Sequence, residues 1–342
     1  MPTSNSAGIE LSAIKGAAEI LGLVAEDLAR VEAIFAAQLT SDIPIIRDVG
    51  RHILESGGKR LRPALHLLCS RAVGGDDPKR IVLAAVFELI HTATLVHDDV
   101  IDDAPTRRGR PSLNARLGNT ITVLMGDYLY LKSVILTLEN EDLDILRAIS
   151  SVTAKMIEGE LLQVVKNGDL SMGVEDYEDI VRRKTAYLFA VCCQTAGMLA
   201  RVPEEVSEAL YRYGLNLGMA FQLVDDLLDF TSDERVLGKP VLSDFREGKV
   251  TYPVLHLLAQ AGGGRRRSLE ERLRGVLASG DFGTFPREEI VRLVRDAGGI
   301  DATRARASTY GRTALEALHA LPASEARHAL EALPEYVLYR ET

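Results

Sequence analysis

The 342-residue sequence contains no tryptophan and only three cysteines, Cys69, Cys192 and Cys193. Their spacing fits neither a disulfide framework nor a zinc site, so we predict a reducing, cytoplasmic environment. The sequence also lacks an uninterrupted apolar run of about eighteen residues, and residues 1–10 do not resemble a signal peptide. The formal net charge of −9 argues against nucleic acid as the main partner.

Strand patterns of period two are absent as well, whereas apolar residues recur at helical spacing along most of the chain. Glycine and proline separate the predicted helices, which cover residues 14–39, 44–53, 63–73, 78–103, 119–138, 143–165, 174–199, 204–230 and 251–258. Gly262 to Arg267 is predicted to be an exposed loop. We therefore predict an all-α protein, in which residues 1–342 form a single-domain helical bundle with the active site in a central cavity.

Two acidic motifs of identical spacing each close an apolar helical run: Asp98-Asp99-Val100-Ile101-Asp102 and Asp225-Asp226-Leu227-Leu228-Asp229. Side chains three or four residues apart share one face of a helix, and carboxylates that close repel one another unless a cation lies between them. Mg²⁺ binds through one or two carboxylates and completes its shell with water and phosphate oxygens. One such motif alone is as readily a solvated helix end, but the pair predicts a shared site for Mg²⁺ and a diphosphate.

Basic residues accompany both motifs. Lys59 and Arg62 follow two glycines, Arg107 and Arg108 closely follow the first acidic motif, and Lys239 and, further along, Lys249 follow the second. Lysine offers a point charge and arginine a bidentate fork, which together suit a diphosphate. Any one of them is more readily an exposed surface cation, so only their grouping near the acidic motifs indicates a site.

Together with Gly57-Gly58-Lys59-Arg60-Leu61-Arg62-Pro63, the acidic motifs resemble those of the trans-isoprenyl diphosphate synthases, the polyprenyl synthetase family. The resemblance spans nearly the whole chain and is strongest from residue 57 to residue 253. It implies that isopentenyl diphosphate condenses with an allylic diphosphate in trans. It also implies about three Mg²⁺ ions per site, for which Mn²⁺ substitutes, a homodimer, and a transient contact with a membrane surface when the product leaves.

The resemblance assigns roles residue by residue. The implied catalytic residues are Asp98, Asp99, Asp102, Asp225, Asp226 and Lys184, and the implied metal ligands are Asp98, Asp102 and Asp225. The implied ligands of isopentenyl diphosphate are Lys59, Arg62, His91 and Arg108. The implied ligands of the allylic diphosphate are Arg107, Lys184, Thr185, Gln222, Lys239 and Lys249. A lone histidine such as His91 also has a structural interpretation, and Arg340 near the carboxyl end is assigned no role.

Product length depends on the residues before the first acidic motif. Ala93, five residues before Asp98, stands where short-chain members of the family carry Phe or Tyr, so the resemblance implies a product longer than farnesyl. We expect Ala93 and Leu89 to face the growing chain. Octaprenyl diphosphate, a precursor of quinone side chains, is the first expectation within a range from heptaprenyl to decaprenyl, and geranylgeranyl diphosphate is the alternative.

Three other classes remain open. A terpene cyclase also ionises an allylic diphosphate, but it usually lacks the second acidic motif and the Lys59/Arg62 pair. A non-catalytic subunit of a two-chain synthase has typically lost its acidic motifs. A metal-storing bundle needs Glu-x-x-His pairs on facing helices, of which Glu88 and His91 supply one.

Overall fold

Helices make up most of the chain in a computed structural model that describes residues 17–107, 110–232 and 241–340. They are α1 (Ala17–Gly22), α2 (Ala25–Gln38), α3 (Pro44–Ser56), α4 (Leu61–Ala72), α5 (Lys79–Ile101), α6 (Leu113–Leu117), α7 (Asn119–Leu138), α8 (Leu143–Lys166), α9 (Val174–Val181), α10 (Tyr187–Leu199), α11 (Glu204–Thr231), α12 (Ser243–Arg246), α13 (Tyr252–Gln260), α14 (Gly263–Ser279), α15 (Arg287–Asp296), α16 (Gly299–Ala317) and α17 (Glu325–Tyr339). A π-helical turn (Arg182–Ala186) joins α9 to α10, and a 3₁₀ turn (Leu318–Ala320) follows α16. The predicted all-α class is confirmed.

The predicted and observed helix ends agree where the sequence carries a terminal signal. Asp142, for example, caps α8, because its carboxylate accepts hydrogen bonds from the backbone N–H groups of Asp144 and Ile145 at 3.0 and 3.1 Å. Pro44 occupies the first turn of α3, where its missing N–H costs nothing. The assignment of the whole chain to one domain stays a prediction.

Two local predictions are wrong, and one short element was not predicted. The helix predicted over residues 14–39 is interrupted after Gly22, a residue of low helix propensity. The stretch from Gly262 to Arg267 is not a loop: α14 begins at Gly263, buries Leu269 on its inner face and pairs Arg266 with Glu270 one turn later at 2.7 Å. A short antiparallel pair, β1 (Thr106–Arg107) and β2 (Arg110–Pro111), follows the first acidic motif.

The core is built around α5, α10 and α11. Helix α5 packs against α2, α4 and α7, and α11 packs against α10 and α16. Helices α10 and α11 approach closely because Gly214 and Gly218 carry no side chain. A Cβ at Gly214 would stand 2.4 Å from the carbonyl oxygen of Phe189, and one at Gly218 would stand 2.6 Å from the Cα of Ala186. This close packing fixes the second acidic motif beside the π-helical turn.

Within the part of the chain that the structure describes, two helices are long and apolar enough, by length and composition, to cross a membrane. In α5 the most apolar window is 67% buried inside the protein, which is typical of a core helix. In α7 the corresponding value is only 39%, so one face of α7 presents apolar side chains to the surroundings.

His66 is a buried histidine of the core. Its Nδ1 lies 2.9 Å from the carbonyl oxygen of Cys192, and its Nε2 is buried without a partner among the described residues. Burial lowers the pKa of His66 to about 4, and the charge of Arg80 acts in the same direction. At neutral pH the ring is therefore uncharged and donates its Nδ1 proton to Cys192.

The free energy of unfolding is expected to fall as the pH drops from 6.5, the ordinary pKa of histidine, towards 4. In that window the unfolded chain binds a proton at residue 66 that the native protein does not bind, which costs up to about 3 kcal/mol of stability. His66→Asn keeps an amide donor near Cys192 but does not titrate, so it should flatten this pH dependence in urea denaturation. The same substitution at the exposed His319 is the control, and an unchanged slope in His66→Asn would contradict the assignment.

Candidate active site

Two adjoining cavities lie where α5, α8 and α11 meet. The ionic cavity, of about 480 Å³, is lined by charged and polar groups that include Asp98, Asp102, Lys184, Gln222, Asp226 and Lys249. The apolar cavity, of about 550 Å³, is lined by Arg62, His91, Thr94, Met156, Phe221 and Asp225 among others. Asp98, Lys184, Thr185 and Gln222 line both cavities. The structure thus brings the two acidic motifs to one place.

Each of the three predicted metal ligands lies beside a cation of the protein. Lys249 Nζ donates to Asp102 Oδ2 at 2.9 Å. Arg340 Nη2 donates to Asp225 Oδ1 at 2.5 Å, and Lys184 Nζ lies 4.0 Å from Asp98 Oδ2. These pairs relieve the repulsion that the acidic motifs would otherwise build up.

Lys249 has a second carboxylate partner, because Glu247 Oε2 also accepts from it at 2.9 Å. Burial opposes the charge of this lysine, but the carboxylates of Asp102 and Glu247 outweigh burial and raise its pKa. Lys249 is therefore a permanent cation at the wall of the ionic cavity, as binding of a diphosphate requires.

The donor set fits a hard divalent cation. Asp98 and Asp102, one helical turn apart, both present carboxylate oxygens to the ionic cavity, and such oxygens are the ligands that Mg²⁺ prefers. Among the described residues no three His, Cys, Asp or Glu side chains lie close enough to enclose a metal ion by themselves. Mg²⁺ in proteins usually has one or two carboxylate ligands, with water and substrate phosphate supplying the rest.

The carboxylates of the second motif serve different purposes. Asp225 lines the apolar cavity, whereas Asp226 is buried at the wall of the ionic cavity. The hydroxyl of Tyr177 and the amide of Gln222 donate to Asp226 at 2.5 and 2.9 Å. Burial, with the nearby charge of Asp244, raises the pKa of Asp226 to about 7.

Asp229, the third acidic residue of this motif, fixes the start of α12. Its carboxylate accepts hydrogen bonds from the backbone N–H and the hydroxyl of Ser243, at 3.1 and 2.8 Å. It is also buried and lines neither large cavity. The two acidic motifs therefore have the same spacing, but the aspartates at corresponding positions have different roles.

The π-helical turn carries Lys184 and Thr185 to the cavities. Widened turns of this kind are frequent at functional sites. The turn lies against α8 at Gly159, where a Cβ would stand 2.8 Å from the backbone nitrogen of Lys184. Thr185 donates to the Oε1 atom of Gln222 at 3.0 Å, which links the turn to α11 and, through Gln222, to Asp226.

Arg62 and His91, from the predicted isopentenyl diphosphate set, both line the apolar cavity. The guanidinium of Arg62 lies 4.7 Å from the centre of the Phe189 ring, and its buried Nε has no partner among the described residues. Burial lowers the pKa of Arg62 against the opposing charge of Glu88. An anion in the cavity would compensate this buried charge.

The sequence model that describes the polyprenyl synthetase family matches residues 43–279 of this chain. The chain belongs to this family. It is 37% identical to octaprenyl diphosphate synthase of Escherichia coli K12 over 319 residues, which is 93% of this chain and 97% of that protein. The resemblance predicted from the acidic motifs is confirmed.

Solved structures of other polyprenyl synthases share the fold. The polyprenyl synthase of Caulobacter crescentus CB15, solved with calcium and isoprenyl diphosphate, superposes with a TM-score of 0.90 at 35% identity and covers 96% of this chain and 98% of its own. A decaprenyl diphosphate synthase of Rhodobacter capsulatus gives a TM-score of 0.89 at 37% identity and covers 95% and 99%. These similarities disfavour a metal-storing bundle.

Some residues assigned from the polyprenyl synthetase resemblance line neither large cavity, and others lie outside the described residues. Lys59 is exposed and lines neither. Asp99 is buried at a separate cavity of about 60 Å³ beside Arg60. Arg108 and Lys239, with the side chain of Arg107, lie outside the described residues. The roles of all five stay predictions.

The structure also refines the predicted wall for the growing chain. Ala93 and Leu89 are buried in a core cluster and line neither large cavity, whereas Thr94 lines the apolar cavity. Successive residues of a helix are about 100° apart, so Ala93 and Thr94 face different surroundings. The role of Ala93 and Leu89 in product length stays a prediction, and Thr94 joins them as a candidate.

The sequence pattern missed Arg340 and Glu160. The side chain of Arg340 is only 6% exposed, lies against Phe221 and contacts Asp225. Arg340 directly follows the last residue of α17, Tyr339, and its backbone is extended, so helical periodicity gives no signal for it. Glu160 follows the buried Met156 by one turn of α8, a signal that helical periodicity could have supplied, and it lines the apolar cavity.

Proposed function

We propose that this polyprenyl synthetase condenses isopentenyl diphosphate with an allylic diphosphate to give a long all-trans polyprenyl diphosphate. The observation that carries the proposal is that Asp98 of α5 and Asp225 of α11 line the same apolar cavity. In the test, purified protein with Mg²⁺ is given labelled isopentenyl diphosphate and farnesyl diphosphate. Butanol-extractable label is expected to form, and its absence at every Mg²⁺ concentration would contradict the proposal.

In this proposal, the allylic diphosphate ionises at the ionic cavity and the condensation takes place in the apolar cavity. When bound by Asp98, Asp102 and Asp225, Mg²⁺ ions supply charge neutralisation for the diphosphate leaving group. Lys184 and Lys249 add fixed positive charge at the ionic cavity, where negative charge grows as the allylic C–O bond breaks. The departing diphosphate then takes the proton that is lost next to the new C–C bond.

The second substrate and the carbocation meet in the apolar cavity. Arg62 and His91 hold the diphosphate of isopentenyl diphosphate, so that its double bond attacks the allylic cation. Leu95, Met156 and Phe221 line this cavity with apolar surface. They exclude water, which would otherwise quench the carbocation.

We further propose octaprenyl diphosphate as the main product. The identity to the E. coli octaprenyl synthase supports this length, and the decaprenyl synthase of R. capsulatus supports a long product in general. No aromatic residue occupies position 93 or 94, so geranylgeranyl diphosphate is the less favoured alternative. Mass spectrometry of the products, after removal of the diphosphate, decides between the lengths.

A homodimer is the proposed assembly. Helix α7 exposes Leu124 and Leu131, and α8 exposes Leu161 and Val165, which is 78% exposed. A second copy packed on this face would also cover the apolar cavity, because Leu161 lines its wall. Sedimentation analysis of the pure chain is expected to show a dimer, and Leu124→Glu with Leu131→Glu should give monomers. A monomeric wild type would contradict the proposal and favour a two-chain enzyme.

Separate substitutions should distinguish the two diphosphate subsites. Lys59→Ala and Arg62→Ala are expected to raise the KM for isopentenyl diphosphate, and Lys184→Ala the KM for the allylic substrate. A charge-assisted contact to phosphate is worth roughly 1.5–3 kcal/mol, so each change should be about ten- to a hundredfold. Steady-state kinetics with each substrate varied in turn measures the effect. The exposed Arg304 replaced by Ala is the control, and equal effects on both substrates would contradict the division.

A further inference from the structure

Arg60, between Lys59 and Arg62, has its guanidinium in contact with carboxylates of two other helices. Its Nη1 atom donates to Glu88 Oε1 of α5 at 2.6 Å, and its Nε and Nη2 atoms donate to the carboxylate of Glu32 in α2. The side chains of Arg60 and Glu88 are only 15% and 6% exposed. Arg60 lines neither large cavity, whereas Arg62 lines the apolar cavity. The two arginines, two residues apart, therefore have different surroundings.

The backbone of Arg60 is left-handed, with φ 50° and ψ 33°. A residue other than glycine adopts this conformation rarely and at a cost in free energy. Arg60 immediately precedes α4, and its carbonyl oxygen accepts a hydrogen bond from the backbone N–H of Ala64 at 3.0 Å, which begins the helix. The same turn sets the direction in which the side chain of Arg62 leaves the first turn of α4. The contacts with Glu88 and Glu32 offset the cost of this conformation.

Glu88 lies next to two of the residues that line the apolar cavity. It precedes His91 by three residues on α5, so the two side chains share one face of the helix, and both line the small cavity of about 60 Å³ beside Arg60. Burial lowers the pKa of Arg62, and the charge of Glu88 opposes this effect. On its other side, the carbonyl oxygen of Arg62 accepts a hydrogen bond from Cys192 Sγ at 3.1 Å. The ion pair of Arg60 and Glu88 is therefore adjacent to both Arg62 and His91.

We propose that Arg60 is a positioning residue for the isopentenyl diphosphate subsite, an inference that rests on the proposed function. Its contacts with Glu88 and Glu32 keep the turn before α4 in one conformation, and that conformation directs Arg62 into the apolar cavity. Arg60 itself does not touch the substrate. Without its guanidinium the turn loses both carboxylate contacts, and the side chain of Arg62 is no longer held in the orientation that meets the diphosphate.

The first experiment measures binding of isopentenyl diphosphate to the full chain by isothermal titration calorimetry, without allylic substrate. Arg60→Met keeps most of the side-chain length but removes the guanidinium. It should weaken binding about tenfold, the effect of losing about one charge-assisted contact. Arg71→Gln is the matched control, because Arg71 also joins α4 to α2, through Asp27 at 3.0 Å. It should leave the binding unchanged, since it lies near the other end of α4.

A double variant separates positioning from simple electrostatic repulsion. Arg60→Met alone leaves Glu88 as a buried carboxylate without this cation, which would repel a nearby diphosphate and would also destabilise the fold. Arg60→Met/Glu88→Gln removes that negative charge as well. If Arg60 positions Arg62, binding in the double variant stays about tenfold weaker than in the wild type. Arg60→Lys keeps the positive charge but has no fork to bridge two carboxylates, so it should recover only part of the affinity.

Steady-state kinetics supplies a measurement that a loss of folded protein does not change. The double variant Arg60→Met/Glu88→Gln should raise the KM for isopentenyl diphosphate about tenfold. The KM for farnesyl diphosphate should stay unchanged, because Lys184 and Lys249 belong to the other subsite. A merely structural role would instead lower the amount of active enzyme, and with it the apparent kcat, at unchanged KM.

Three results would overturn the proposal: wild-type affinity in Arg60→Met, recovery of wild-type affinity in the double variant, or equal weakening in Arg71→Gln. A wild type that binds no isopentenyl diphosphate would do the same. Calorimetric binding needs no turnover, so these results are independent of product formation. The proposed function fails separately if the wild type binds isopentenyl diphosphate but forms no polyprenyl product.

Discussion

Asp98→Ala is expected to lower kcat by about a thousandfold or more while the protein keeps its fold. Asp98 lines both cavities and is the metal ligand nearest to Lys184. A metal ion contributes several kcal/mol to transition-state stabilisation, and each 1.36 kcal/mol corresponds to about a factor of ten in rate. Turnover is measured across a Mg²⁺ titration, with the exposed Asp301→Ala as the control. Full wild-type activity in excess chelator would contradict the metal requirement.

Asp225→Ala should lower kcat comparably but should also destabilise the protein. Arg340 is only 6% exposed, and removal of Asp225 leaves its guanidinium without the carboxylate at 2.5 Å. A fully buried charge that loses its partner costs about 3–5 kcal/mol, and the loss expected here is smaller because the Asp225 side chain is 40% exposed. The carbonyl of Phe221, 2.9 Å from Arg340 Nη2, and the ring of the same residue offset part of this cost.

The matched variant for this effect is Asp225→Ala/Arg340→Gln. It removes both charges, so chemical denaturation should show stability closer to the wild type, although activity stays low. Asp98→Ala leaves Lys184 paired with Glu160 and should therefore be the more stable of the two single variants. Equal stability of Asp98→Ala and Asp225→Ala would show that Arg340 does not depend on Asp225.

Thr94→Tyr is expected to shorten the product to farnesyl or geranylgeranyl diphosphate. Thr94 lines the apolar cavity, and a ring at this position would occupy the space into which the chain grows. Each added methylene gains about 0.8 kcal/mol of burial free energy in an open cavity, whereas forcing it against a ring costs about 1–3 kcal/mol. Ionisation should be little affected, because Thr94 lies one turn from Asp98. Reversed-phase chromatography of the dephosphorylated products measures the length.

Ala93→Tyr is the companion variant. Ala93 is only 3% exposed and packs within the core cluster that contains Leu89, so a ring there should destabilise the helix packing as well. A shortened product from Ala93→Tyr alone would support the assignment made from the sequence. A shortened product from Thr94→Tyr alone would support the wall seen in the structure, and a full-length product from both would place the growing chain elsewhere.

The sequence was sufficient for the parts of the site that depend on local spacing. Two Asp-Asp-x-x-Asp motifs at the ends of apolar helices predicted a shared cavity, and α7 runs from Asn119 to Leu138 as predicted. The pairing of Arg340 with Asp225 and of Glu160 with Lys184 could not be predicted. Spacing shows which residues share the face of one helix, but not which distant helix lies opposite that face.

The π-helical turn has a consequence for the register of the whole segment from Val174 to Leu199. One extra residue in a turn rotates everything after it by about 100° relative to what came before. Helix α10 can therefore present Phe189 to the glycines of α11 while Lys184, only five residues earlier, reaches the cavities. The buried faces of α9 and α10 are therefore rotated relative to one another although the two helices are continuous. A single helical repeat of apolar residues describes the buried face of α9 or of α10, but not of both.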